Sequence, residues 1–189
     1  MTGPVGLGKT ALALRLAQAL LCEHPETNPL DACGLCTGCK LLRAGTHPDL
    51  IRAEPPEGKS QITVDQVREL RGFLSLRPHQ ATHKIVVMSP AEAMNVNAAN
   101  SLLKVLEEPP AGSLLLLVSS APSRLPATIR SRCARIVVDL PAREEGVDWL
   151  CKTGASPGRR PICCWHWPEV RRHSPWSWPK KACWGNASD

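Results

Sequence analysis

The chain has 189 residues, 43% of them hydrophobic and 21% charged, with a formal net charge of +6. That suffices for one globular domain with a sizeable core and argues against wholesale disorder. The longest apolar run, Leu114 to Val118, falls far short of the ~18 residues of a membrane span. No basic stretch followed by an apolar one opens the chain, so a cytoplasmic protein is expected, not a membrane or disulfide-built one.

The charge is unevenly held. Residues 1–151 carry 16 Lys and Arg against 15 Asp and Glu, whereas residues 152–189 carry 7 against 2. Five of the six tryptophans also fall in the last 25 residues. The basic surplus belongs to the tail and says little about the main domain.

In chain order, the Ala- and Leu-rich stretch Ala11 to Leu21 reads as a helix. A cysteine-rich insert from Cys22 to Cys39 follows, and its Pro and Gly content argues against regular structure. Asp49 to Ala53 is a short strand candidate. Thr63-Val64-Asp65-Gln66 has the capping-box form and predicts a helix from Val64 to about Leu76. Lys84 to Met88, Leu114 to Val118 and Ile136 to Val138 read as buried apolar strands. Ala91 to Leu106 is a long helical stretch closed by Pro109-Pro110, and another helix starts at Glu144. Apolar strands alternating with helices define an α/β fold: a parallel sheet covered by helices on both faces.

Gly3 to Thr10 fits G-x-x-x-x-G-K-[ST] in full. In that motif Gly3, Gly6 and Gly8 let backbone N–H groups close around phosphate oxygens. Lys9 would reach the β- and γ-phosphates, and Thr10 would hold Mg²⁺. The competing reading is a Gly-rich turn capping a helix. Only Met1 and Thr2 precede Gly3 where a strand should stand, so the first strand is expected to be missing.

Cys33, Cys36 and Cys39, with Cys22 upstream, supply four thiolates. They read as a closed, structural tetrahedral zinc site, with a redox motif and four buried free thiols as rivals. A P-loop ATPase also needs an acidic residue at the end of a later buried strand. Here the strand ending at Met88 runs into Ser89-Pro90, which read with Glu92 as a capping box. Glu92 as a displaced catalytic base is the alternative. Glu107 and Glu108 end the next helix against its macrodipole, at about 0.3–1 kcal/mol each when exposed. Either the charge is used or it is simply solvated.

The segments Asn100 to Pro110 (NSLLKVLEEPP) and Leu125 to Cys133 (LPATIRSRC) resemble the AAA+ subunits of the bacterial DNA polymerase III clamp loader. The P-loop followed by a four-Cys module, and Ala44 to Asp49, are similar to the same family. The resemblance covers about residues 3–150. It implies an AAA+ P-loop domain over 1–150 with a zinc module at 22–39, in a DNA replication complex with other clamp-loader subunits (gamma/tau and delta), a sliding clamp and primed DNA.

Gamma-type members carry Asp-Glu where this chain has Ser89-Pro90, so the resemblance is to the non-hydrolysing, delta-prime type. Such a subunit is expected to bind ATP and Mg²⁺, if at all, without turnover. It would be no catalyst by itself, but part of a DNA-directed DNA polymerase holoenzyme. The resemblance makes Arg132 an arginine finger acting in trans and places Ser119 at the sensor-1 position. An active gamma/tau-type ATPase and a zinc-containing P-loop kinase are the alternative functions.

From about Lys152 the sequence matches neither the helical lid nor the collar that the family would supply. Read one frame over, the codons for Cys163 to Pro168 must encode Leu-Leu-Ala-Leu-Ala, whatever the codon choice. Residues 151–189 are therefore expected to be frameshifted and disordered. A Trp/Arg tail for single-stranded nucleic acid is the rival, and a second metal site at Cys163, Cys164, His166 and His173 is poorly spaced.

Overall fold

The computed structural model describes residues 1–24, 31–142 and 144–146. Of the expected Glu144 helix, the described residues 144–146 are helical; its remainder and the tail from residue 151 lie outside the described residues. The chain divides into two compact units, Met1–Asp139 and Leu140–Asp189. In the second, Gly146 N–H donates to Ala142 O at 2.9 Å.

In the first unit the elements are α1 (Lys9–Leu20), α2 (Thr37–Ala44), β1 (Leu50–Ala53), α3 (Val64–Ser75), β2 (Lys84–Met88), α4 (Val96–Glu107), β3 (Ser113–Leu117) and α5 (Ala127–Arg130). The three strands form a parallel sheet in the order β1-β2-β3. All five residues of β2 are buried, as a central parallel strand requires. Its alternate side chains enter two cores. Val86 and Met88 pack with Val67, Leu70 and Leu102 from α3 and α4, while Ile85 and Val87 pack with Ala13, Ala17 and Leu42 from α1 and α2. Helices thus cover both faces, as expected.

The sheet continues past β3 through short pairings. Thr2 makes parallel bridges to Ser119 and to Val137, and Thr2 N–H donates to Ile136 O at 2.8 Å. Met1 and Thr2 thereby lie between β3 and the 136–138 segment, at the position of the strand expected before the P-loop. The anticipated strand Ile136–Val138 is reduced to this bridge, and it is not buried: Ile136 and Val137 are about half exposed. Two residues of neighbouring strand are too few to sustain a longer ladder.

Two other expectations change. The cysteine insert is not irregular throughout, because α2 starts at Thr37 inside it and carries Cys39. The long stretch from Ala91 is broken into a 3₁₀ turn at Ala91–Ala93 and α4. Asn95 supplies the missed cap, its side chain accepting from Ala98 N–H at 2.8 Å. Thr63 and Gln66 do form the predicted reciprocal cap of α3.

The segment before β1 is fixed by a buried charge. Asp49, fully buried, accepts from the backbone N–H groups of His79, Gln80 and Ala81 at 2.8–3.1 Å. It also lies 3.5 Å from the buried Lys84 ammonium, which sits 4.0 Å over the Phe73 ring. Burial pushes the Asp49 carboxyl upward, but these hydrogen bonds and Lys84 hold it below the usual carboxylate range.

A carboxyl depressed in the folded state stabilises above its unfolded pKa of about 3.9, and that contribution is lost as pH falls. Asp49→Ala should cost about 3–5 kcal/mol by leaving a buried ammonium unpaired, and its acid-unfolding profile should be flatter than that of the parent. Urea melts between pH 3 and 7 measure both; a loss under 1 kcal/mol, or an unchanged profile, would contradict this role.

Candidate functional site

The P-loop lies between the Met1-Thr2 pairing and α1. Gly6 and Gly8 adopt left-handed conformations, φ 88° and 71°, which residues with a Cβ adopt only under strain. Gly3 is required for a different reason: a Cβ there would sit 2.2 Å from Val138 O. The sequence thus meets the motif's backbone demands, and the positive end of α1 begins at Lys9.

Lys9 is buried, at 5% exposure. Its ammonium donates to Pro4 O at 2.6 Å and to Ser120 Oγ at 3.0 Å. Burial lowers its pKa, and the charge of Glu92 offsets part of that shift. Thr10 Oγ1 shares a 2.8 Å hydrogen bond with Ser89 Oγ. The parallel pairing of β2 therefore brings its C-terminal end against the motif's metal-binding hydroxyl. What arrives there is a neutral hydroxyl.

The capping-box reading of Ser89-Pro90-Ala91-Glu92 is incorrect. Pro90 precedes the 3₁₀ turn with no side-chain cap, and Ser89 is turned to Thr10 instead. Glu92 Oε1 accepts from Ser120 N–H at 2.9 Å and Ala121 N–H at 3.2 Å, while its buried Oε2 has no hydrogen-bond partner. Burial raises the Glu92 carboxyl, but hydrogen bonds from the 119–121 loop and its own backbone bring it below the usual range. Glu92 is a latch for the loop after β3.

Ser119 is buried, and its Oγ accepts from Ala121 N–H at 3.2 Å. The hydroxyl that meets Lys9 belongs to Ser120. Sequence reading had no signal for Ser120 or for the Glu92 latch, since both contacts join segments about 30 or more residues apart.

Cys22, Cys33, Cys36 and Cys39 converge, with all four Sγ atoms within 4.8 Å of one another. The Cys22–Cys36, Cys33–Cys39 and Cys22–Cys39 separations are 4.0, 3.9 and 3.7 Å. Tetrahedral ligation at ~2.3 Å spaces sulfurs by about 3.8 Å, so the residues fit a four-thiolate metal ion. Cys36 caps α2, its sulfur accepting from Cys39 N–H. Gly34 turns the loop with φ 71°. Gly38 lies within α2, where a Cβ would meet Leu21 O at 3.0 Å.

Backbone N–H groups of Leu35 and Cys36 pull the Cys33 thiol down to about 6, while burial pushes Cys39 up to about 12. A coordinated dication would deprotonate such thiols.

Arg132 follows α5. Its Nη1 donates to Thr128 O at 3.0 Å, and its Nη2 lies 2.7 Å from Glu107 Oε1. The carboxylate that ends α4 against its dipole is therefore used. Among the described residues, no helix is long and apolar enough to cross a membrane.

A parallel sheet with its P-loop beside β3, a four-Cys insert and an arginine after α5 define an α/β domain of the AAA+ type. Residues 1–141 match the family model described as DNA polymerase III, delta subunit, and the chain belongs to that family. It is 50% identical over 150 residues to DNA polymerase III subunit delta' of Pseudomonas aeruginosa, covering 79% of this chain and 45% of that relative. It is 40% identical over 147 residues to subunit delta' of Escherichia coli, covering 78% and 43%.

Subunit tau of Bacillus subtilis is 34% identical over 134 residues, covering 71% of this chain and 23% of tau. A crystal structure of a DNA polymerase III gamma subunit-related protein from Thermotoga maritima aligns with TM-score 0.50 at 33% identity. That alignment covers 56% of this chain and 34% of the other. The chain spans less than half the length of these relatives.

The Glu92 latch yields a stability test. Glu92→Ala leaves two backbone N–H groups without their acceptor and should cost about 1–3 kcal/mol in chemical denaturation. Glu92→Gln keeps an acceptor oxygen and should cost less. Equal losses for the two variants would rule out the latch.

Proposed function

We propose that this chain is a delta-prime-type clamp-loader subunit in bacterial DNA replication. It docks beside ATPase subunits of the gamma/tau kind and helps a sliding clamp onto primed DNA, in the cytoplasm and with the delta subunit as a further partner. The observation that carries this is Ser89 standing at the end of β2, hydrogen-bonded to Thr10. A hydroxyl there can orient a water but cannot supply the negative charge that holds a Mg²⁺ shell, and Pro90 supplies no base for the attacking water.

Gly3, Gly6, Gly8, Lys9 and Thr10 would cradle a nucleotide without turning it over. For that, a phosphate has to draw Lys9 from Pro4 O, exchanging one acceptor for a charged one. Ser119 and Ser120 stand beside this site as neutral hydroxyls. Zinc on Cys22, Cys33, Cys36 and Cys39 would be structural, since four protein thiolates leave no open position. It would join the end of α1 to the start of α2.

Arg132 would serve a neighbour's ATP, placing its charge against the γ-phosphate. A gamma/tau-type ATPase is the second reading, favoured by the intact P-loop and the likeness to tau. The residues at Ser89 and Pro90 weigh against it. Membership of the clamp-loader family displaces the kinase reading.

The purified subunit should hydrolyse no ATP; turnover abolished by Lys9→Ala would contradict the non-hydrolysing assignment. Arg132→Ala should lower ATP turnover of the reconstituted complex, by roughly tenfold or more at the site it serves, without changing assembly measured by gel filtration. Elemental analysis should find about one zinc ion per chain, and chelation should lower the melting temperature. Metal-free protein with the same melting temperature would remove the zinc assignment.

A further inference from the structure

We infer that Glu107 is a positioning residue for Arg132, holding its guanidinium at a fixed place on the surface where it meets the phosphate of a neighbouring subunit's nucleotide. The inference rests on the trans-acting reading of Arg132.

Glu107 is the last residue of α4, where backbone carbonyls already present partial negative charge. A carboxylate there is unfavourable unless a cation answers it, and Arg132 answers at 2.7 Å. Thr128 O takes the other terminal nitrogen at 3.0 Å. Side-chain and main-chain acceptors thus grip both ends of the planar fork. These contacts occupy two of the five N–H groups a guanidinium carries, and the others can serve an anion. The Arg132 side chain remains 36% exposed, so the grip orients it without burying it.

The grip has a rigid base. Leu102 and Val105 of α4 are buried in the core shared with α3 and β2. Ile129 of α5, three residues before Arg132, is 1% exposed in the same core. Both sides of the pair are therefore fixed to one packed unit, and the guanidinium is pre-set instead of sweeping through its rotamers. Pre-setting of this kind acts on the rate of the assembled state, because an error of about 1 Å in a catalytic group can cost 10²-fold.

The test compares Arg132→Ala, Glu107→Gln, Glu107→Asp and the Arg132→Ala/Glu107→Gln pair in the reconstituted clamp loader, reading kcat and KM for ATP along with the subunit's melting curve. Arg132→Ala should lower kcat. Glu107→Gln should lower it by about three- to tenfold with KM unchanged, and Glu107→Asp should recover part of the loss. The double variant should be no slower than Arg132→Ala alone, as two residues acting through one contact are not additive.

If Arg132→Ala is slow but Glu107→Gln matches the parent or exceeds it, the positioning role is overturned and the finger stands; a faster variant would mean that Glu107 masks Arg132. Additive losses overturn it too. If Arg132→Ala itself turns over normally, the finger reading fails and this inference with it.

Discussion

Two hydroxyls facing each other, Thr10 and Ser89, set the character of this molecule. The parallel pairing of β1, β2 and β3 delivers the end of β2 to the P-loop, so whatever residue follows Met88 becomes the partner of Thr10. A carboxylate at that point would place a full negative charge beside a bound cation. A hydroxyl pair contributes only about 0.5–1.5 kcal/mol as a neutral hydrogen bond and would leave a bound cation's charge to the phosphates alone. The P-loop glycines and Lys9 are kept, whereas Ser89 and Pro90 stand where, on the proposed reading, hydrolysis would need acidic residues.

Around this point the acidic groups have structural work. Glu92 secures the loop after β3, and that loop returns Ser120 to Lys9. Asp49 gathers three backbone N–H groups and Lys84 where the 79–81 segment enters β2. Glu107 engages Arg132. Asp49 and Glu92 take up backbone donors that burial would otherwise leave unanswered, whereas Glu107 pairs with a partly exposed guanidinium. Arg132 is thereby held, 36% exposed, on a base built from α4 and α5.

The parts legible in sequence were those fixed by local rules. The P-loop glycines, the Thr63 cap, the apolar run of β2 and the spacing of Cys33, Cys36 and Cys39 carry their physics within a few residues. Glu92 was misread because a Ser-x-x-Glu pattern looks like a cap, whereas the outcome depended on N–H groups at Ser120 and Ala121, 28 and 29 residues on. Helix α2 was missed because its glycine and cysteines read as loop. Its formation depends on the sulfur of Cys36 capping it and on a Gly38 that lets it approach Leu21. The role of Asp49 was equally invisible, since its partners lie about 30 residues away. Asn95 was readable in principle, as an Asn before a helical run, but the continuous Ala91–Leu106 pattern concealed it.

The most direct measurement is single-turnover hydrolysis of ATP in the assembled complex after the P-loop lysines of the partner ATPase subunits have been replaced. Only the Lys9–Thr10 site could then act. The account predicts that labelled ATP bound there is released unchanged, with no phosphate burst. A burst matching the number of these sites would contradict it.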